Sequence, residues 1–235
     1  MKAIRLTLAA ALALWTAAAT AQVNSYSFSN NAVNQNIPDA NPSGLTLATN
    51  LTGMSGTISN ITLSLNITNA AGSTAYNGDL YAYLVGPNGG FAILLNRSGV
   101  TAGNSFCYNN TGFAVTFGMF GTSGNIHSYQ PGGSYNAAGQ LTGTWTPDGR
   151  AIDPQSAPSL FDSTSPTALL DSFVGTDPNG TWYLFFADLA GGNTSEVLSW
   201  TLNIETVPEP STWALVAVGA AALARSRKSR SDQKH

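Results

Sequence analysis

Apolar and polar residues alternate along much of this chain, whereas the spacing of an amphipathic helix is nearly absent. The alternation is clearest in residues 61–67, 80–84, 113–117, 182–186 and 198–204. A period of two is typical of a strand with one buried face and one exposed face. The chain is therefore predicted to be rich in β-strands.

Turn-forming dipeptides, among them Asp148-Gly149, separate these predicted strands. Many short strands joined by such turns favour an all-β fold, either an antiparallel β-sandwich or a jelly roll. Residues 121–166 differ, because they are rich in Gly, Ser, Pro and Asn with weak periodicity. They predict a long excursion, which contains one strand at 141–145.

Residues 1–21 form a segment of a different kind. Lys2 and Arg5 precede an apolar stretch, and Ala19 and Ala21 provide small residues at the spacing that signal peptidase accepts. A buried amphipathic helix is the alternative, but the segment has no polar face. We therefore predict a signal peptide that is removed after Ala21.

Charge is unevenly distributed along the chain. The formal net charge is −3, but residues 22–206 contain ten acidic residues, only Arg97 and Arg150 as basic residues, and no lysine. Such a domain cannot neutralise phosphates, so nucleic acid is excluded as a partner. The acidic surface could attract cations, or it could simply keep the domain soluble.

Cysteine and histidine offer little catalytic chemistry. Cys107 is the only cysteine, so no internal disulfide can form, and it is expected to be a small buried residue. A nucleophile would need a base, and His127 is the only histidine in residues 22–206. No Gly-x-Ser-x-Gly motif is present, so no catalytic residues are predicted.

Four short motifs occur in a specific order along residues 37–205. They are Ile37-Pro38-Asp39, Gly78-Asp79-Leu80, Gly180-Thr181-Trp182 followed by Leu184, and Ser199-Trp200 followed by Leu202. Together they resemble the P-domain (P/Homo B domain) of proprotein convertases. The resemblance implies a jelly-roll-like β-sandwich of the galactose-binding-like kind over residues 22–206. In the convertases this domain follows a subtilisin-like protease domain and helps it to fold.

The same motifs supply most of the candidate site residues. Trp182 and Trp200 occupy the inward-facing positions in the alternating pattern of their strands, so both are predicted to lie in the core. Asp39, Asp79 and Asp188 lie at turns and strand ends, where a carboxylate either caps turn amides or binds a cation. The resembling family includes calcium-binding members, so calcium is the cofactor that the resemblance implies for these aspartates.

Residues 207–235 combine a proline-rich lead, an apolar segment at 213–224 that predicts a short helix, and a basic cluster. The apolar segment is shorter than the ~20 residues of an ordinary membrane span, which fits a transient stop before cleavage. The tail resembles a PEP-CTERM sorting signal, which implies processing by an exosortase in a Gram-negative bacterium. A plain C-terminal anchor is the alternative. The motif residues are Pro208, Glu209, Pro210, Arg225 and Arg227.

These expectations combine into one predicted function. The chain is exported, inserted transiently in the inner membrane, and delivered to the cell surface or the extracellular matrix, with signal peptidase and an exosortase as processing partners. There it has a non-catalytic binding or structural role within exopolysaccharide. Two alternatives stay open: an accessory domain for a separate subtilisin-like protease, and a hydrolase that uses carboxylates such as Asp79 and Asp188.

Overall fold

The computed structural model describes residues 22–208 and Gly219. Residues 22–208 form an all-β sandwich of two sheets not closed into a barrel. The described residues also include α1 (Pro158–Ser163) and 3-10 helices at Asn77–Asp79, Ile126–Ser128 and Leu170–Phe173. The strands are β1 (Asn24–Asn30), β2 (Gln35–Asn36), β3 (Asn41–Leu51), β4 (Thr57–Asn69), β5 (Leu80–Val85), β6 (Phe91–Asn96), β7 (Phe113–Gly118), β8 (Ser134–Tyr135), β9 (Leu141–Trp145), β10 (Gly180–Asp188) and β11 (Ser195–Val207).

The larger sheet has the strand order β1-β11-β4-β7-β9-β8, and β2 also pairs with β11. The smaller sheet has the order β3-β10-β5-β6. Strand pairs are antiparallel, except that β9 runs parallel to β7. This pair departs from the purely antiparallel sheets that the sequence predicted. The long connection from β7 to β9 is what allows the chain to return in the same direction.

Every segment predicted as a strand lies within a strand of the structure, namely β4, β5, β7, β9, β10 or β11. In β4 the alternation matches burial, since Ile61, Leu63, Leu65 and Ile67 are buried and the residues between them are half-buried. β10 differs, because it is buried continuously from Leu184 to Asp188. Strand β6 was not predicted. It is buried along almost its whole length, so its sequence is a continuous apolar run without alternation.

The predicted excursion, residues 121–166, is an ordered cover over one edge of the sandwich. The amide of Gly149 donates a hydrogen bond to the carbonyl of Ile93 in β6 at 2.9 Å. Phe161 of α1 packs with Val100 in a small apolar cluster separate from the main core. The excursion therefore closes the edge at which β6 ends the smaller sheet.

The edge formed by β1 and β3 is open instead. Among the described strands, β1 is at one end of the larger sheet and β3 is at one end of the smaller sheet. A groove with a volume of ≈ 720 Å³ lies between them and is lined in part by Trp200 of β11. The sandwich thus has one covered edge and one open edge.

Candidate functional site

The three predicted aspartates lie at the same end of the sandwich. Asp188 is the last residue of β10 and pairs with Leu80 of β5, directly after Asp79. It also pairs with Asn41 of β3, two residues after Asp39. Strand pairing therefore brings together three carboxylates that are far apart in the sequence.

Protein groups already occupy part of this aspartate cluster. Asp39 accepts hydrogen bonds from the Gly192 amide at 3.1 and 3.0 Å, as a turn-capping aspartate does. Asp188 accepts one from the Ala190 amide at 3.3 Å through Oδ1. Its buried Oδ2 has no hydrogen-bond partner in the described part of the chain.

Burial changes the acid–base properties of two of these carboxyls. Asp188 is 1% exposed and Asp79 is 7% exposed. Burial raises the pKa of Asp188 to about 7; the Ala190 amide opposes the rise, and the charges of Asp79 and Asp39 add to it. Burial also raises the pKa of Asp79, against the effect of the Arg97 guanidinium. Asp188 therefore titrates near neutral pH.

The aspartate cluster does not have the geometry of a metal site. Among residues 22–208 and Gly219, no three His, Cys, Asp or Glu side chains are grouped so that they could hold a metal ion. Calcium needs six to eight oxygen ligands, and Asp188 is nearly inaccessible. Calcium binding by Asp39, Asp79 and Asp188 therefore stays a prediction that the geometry does not support. Equal melting temperatures in calcium and in chelator would contradict it.

A buried polar network in the excursion was missed by the sequence reasoning. Nδ1 of His127 lies 2.6 Å from Oδ2 of Asp148, and its Nε2 lies 2.9 Å from the Val100 carbonyl oxygen. Arg150 donates to Oδ1 of Asp148 at 3.2 Å and to the Phe161 carbonyl at 2.9 Å. Both ring nitrogens of His127 thus lie within hydrogen-bond distance of an oxygen atom.

The sequence did contain a signal for this network. Residues 22–206 hold one histidine and two arginines. His127 and Arg150 both fall within the excursion, and Arg150 comes two residues after Asp148. A cationic group that becomes buried needs a carboxylate partner. Asp148 was interpreted only as a turn residue, because nothing in its local pattern distinguishes a buried aspartate from an exposed one.

Cys107 is buried, as the sequence predicted, although Phe106 beside it is highly exposed. Burial raises the pKa of the Cys107 thiol to about 11, and the charge of Asp79 adds to the rise. The reactive thiolate is therefore disfavoured. His127 is no base for this thiol, because both of its nitrogens contact other groups.

Trp182 and Trp200 both belong to the main core, yet their surroundings differ. Trp182 is 2% exposed and packs on Phe173 with a ring-centroid distance of 5.1 Å. Its Nε1 donates to the Pro178 carbonyl at 2.9 Å. Trp200 is 8% exposed, and its buried Nε1 finds no acceptor among the described residues.

The groove beside Trp200 is a second feature that the sequence reasoning did not foresee. None of its lining residues carries a charge, and most of them are Ser, Thr, Asn or Gln. Phe28 and Leu47 supply an apolar part together with Trp200. Strands β1 and β3 form its walls, and neither was predicted because both have weak or interrupted alternation.

Comparison with protein families finds the PEP-CTERM protein-sorting motif at residues 206–228. The match begins within the last two residues of β11. The signal-peptide prediction, residues 1–21, lies outside the described residues, and so does the apolar-helix prediction, residues 213–224, apart from Gly219. The sorting residues other than Pro208 also lie outside them. No helix within the described residues is long and apolar enough to cross a membrane.

Comparison with solved structures finds the serine protease of Aeromonas sobria, at 16% identity and a TM-score of 0.41. A structure of this protease in complex with the chaperone matches at 16% identity and a TM-score of 0.40. Each match covers 79% of this chain and 27% of the other, so this chain spans about a quarter of their length. The comparison with curated protein sequences gave no match. A structural similarity at these TM-scores supports no inference about function.

Proposed function

We propose that this chain is an exported, non-catalytic protein with a binding or structural role in the exopolysaccharide matrix of a Gram-negative bacterium. The PEP-CTERM motif implies an exported protein that an exosortase-type enzyme sorts to the cell surface. The observation that carries the proposal is the position of this motif. It begins at residue 206, where β11 ends, so the whole sandwich precedes the sorting signal. Cleavage within the tail would leave the fold complete.

The chemistry of the candidate catalytic groups supports a non-catalytic role. A carboxylate-dependent hydrolase needs its acid and its base in contact with the substrate, whereas Asp79 and Asp188 are buried. A thiol whose pKa is about 11, as for Cys107, is a poor nucleophile at neutral pH. His127, which would have to be the base, is buried in contact with two acceptors.

Mass spectrometry of the protein recovered from the envelope and matrix of producing cells tests the sorting. We expect no peptide beyond about Ala224, and we expect the protein in the washed matrix fraction. A Pro208→Ala/Pro210→Ala variant should keep its tail, and the matched control Pro131→Ala, an exposed excursion residue, should lose it. An intact 225–235 segment in the mature wild-type protein, or its absence from the matrix, would contradict the proposal.

A further inference from the structure

We propose that the groove between β1 and β3 binds a neutral polysaccharide chain. This inference deepens the function proposed above and rests on it, because it names the surface by which the exported sandwich holds its matrix. The groove has a volume of ≈ 720 Å³, within the ~300–1,000 Å³ usual for ligand sites. Its lining includes all of residues 46–52, so it follows β3 for roughly 20 Å at the rise of an extended strand. An extended ligand suits such a site better than a compact one.

The polar lining of the groove matches a ligand that carries hydroxyl groups and no charge. Gln35 and Asn50 are exposed, and within the described residues neither side chain makes a hydrogen bond. Their amides therefore have free donors and acceptors, as sugar hydroxyls require. The groove has no charged side chain, and residues 22–206 have no lysine to attract an acidic polysaccharide.

The apolar part of the groove matches the other surface of a sugar ring. Phe28 and Trp200 both line the groove. Trp200 is only 8% exposed, but Phe28 is half-buried, and the open part of its ring is an apolar surface that the C–H groups of a sugar can cover. Aromatic residues combined with a few neutral hydrogen-bonding groups are the usual composition of a small-ligand site. Together with the amides, they suit a neutral sugar chain, which is apolar on its ring faces and polar around its edge.

An independent observation comes from the indole nitrogen of Trp200. This side chain is more than nine-tenths buried, and its N–H has no acceptor in the described part of the chain. A buried donor without a partner costs stability, and the neighbouring Trp182 avoids that cost by donating to the Pro178 carbonyl. The nitrogen itself is buried, so a sugar hydroxyl would reach it only if the indole turned toward the groove that Trp200 lines. Such a turn would give the unpaired donor an acceptor and make Trp200 part of the binding site.

A peptide strand is the other occupant that two open sheet edges suggest. Strand addition uses a regular edge and apolar pockets for alternate side chains. Near its start β3 contains Pro42, which lacks an N–H, and Gly44, whose φ of 55° interrupts the extended edge. The lining is mostly hydroxyl and amide groups rather than apolar pockets. These features favour the polysaccharide.

Affinity electrophoresis of the exported protein in gels that contain a glucan, a galactan, a mannan or the acidic polymer alginate tests the inference. We expect at least one neutral polymer to retard the wild-type protein and alginate to have no effect. Gln35→Ala/Asn50→Ala should weaken that binding at least tenfold. The matched control Asn109→Ala/Gln155→Ala, which changes the same residue types at exposed positions outside the groove, should bind as wild type does.

Retardation by none of the neutral polymers, preferential retardation by alginate, or equal affinity of the two double variants would overturn the inference. Sedimentation of the same protein samples measures self-association, and so tests whether the groove instead pairs with a strand of a second copy of this chain. Self-association that is lost in Gln35→Ala/Asn50→Ala, without any polysaccharide binding, would assign the groove to strand pairing. Sorting and tail removal are measured separately by mass spectrometry, so the groove can fail as a polysaccharide site while the proposed function stands.

Discussion

Trp182 and Trp200 lie in two regions of one core that differ in how completely the protein surrounds them. The 3-10 helix at Leu170–Phe173 packs on Trp182, and the Pro178 carbonyl accepts its N–H. Beside Trp200, strands β1 and β3 leave a groove, and in the described residues no acceptor reaches its N–H. Burial is nearly the same in both regions, so burial alone does not separate a structural residue from a binding residue. The two tryptophans differ in whether the indole N–H has a hydrogen-bond acceptor.

Two buried aspartates repeat this contrast. Asp148 is fully buried, and its carboxylate contacts His127 and Arg150. Asp188 is almost as buried, but one of its oxygens has no partner in the described part of the chain, and burial raises its pKa to about 7. The first carboxylate holds the excursion in place, whereas the second lowers stability whenever it is ionised.

The largest expected effect separates the two tryptophans. Trp182→Ala should lower the free energy of unfolding by ~3–5 kcal/mol, the usual cost of truncating a fully packed aromatic residue. Trp200→Ala should cost less, about 2 kcal/mol, because Trp200 lines the groove and the structure can relax there around the smaller side chain. Urea unfolding of the exported protein measures both values. Equal losses would show that the two regions are equally packed and would break the comparison.

The two aspartates should respond to the same substitution with opposite signs. Asp148→Asn should lower the free energy of unfolding by about 3 kcal/mol, because His127 and Arg150 lose a buried charge partner. Asp188→Asn should raise it at pH 8, because a buried and partly unpaired charge is removed. Asp171→Asn, at an exposed position, is the control and should change stability by less than ~0.5 kcal/mol. The comparison fails if both buried substitutions destabilise the fold equally.

The pH dependence of the wild-type protein should reveal Asp188 directly. Its pKa is about 7 in the folded state and about 4 in the unfolded chain, so the folded state binds more protons between these values. The stabilising contribution of the protonated carboxyl is complete below pH 4 and is lost as the pH rises through 7. Melting temperatures should therefore fall between pH 5 and pH 8, and Asp188→Asn should flatten the profile. A flat wild-type profile would contradict the assignment.

The smallest expected effect on stability belongs to the groove itself. Gln35→Ala/Asn50→Ala should change the free energy of unfolding by less than ~0.5 kcal/mol, because both residues are exposed and make no side-chain hydrogen bond within the described residues. Urea unfolding beside the double control Asn109→Ala/Gln155→Ala measures it. A large loss would mean that these amides support the fold rather than a ligand.

Much of the sandwich could be predicted because most of its central strands have one face more buried than the other. Strands β4, β5, β7 and β11 alternate in burial, and their period is visible in the sequence. β10 was also predicted, although it is buried continuously from Leu184 to Asp188. β6 is covered on both faces, and β1 and β3 lie at open edges, so their patterns carry less information. The parallel pairing of β9 with β7 depends on the path of a long connection, which periodicity does not report.

The candidate sites were less predictable than the fold. The inward positions of Trp182 and Trp200 were visible in the sequence, but their hydrogen bonding was not. The Trp182 N–H finds the Pro178 carbonyl four residues earlier, whereas the Trp200 N–H has no acceptor among the described residues. The aspartate cluster forms through strand register, yet its carboxyls do not make a ligand set among the described residues. The resemblance to a P/Homo B domain and the accessory protease role stay predictions.

The indole N–H signals of Trp182 and Trp200 test most directly whether the groove is a polysaccharide site. They can be followed by NMR in ¹⁵N-labelled exported protein during titration with oligosaccharides of the neutral polymer that retards it most strongly. Trp200→Phe, which removes only one of these signals, assigns them. We predict that the Trp200 signal shifts in proportion to bound ligand while the Trp182 signal stays in place. A Trp200 signal that does not move while the oligosaccharide binds would contradict the assignment of the groove.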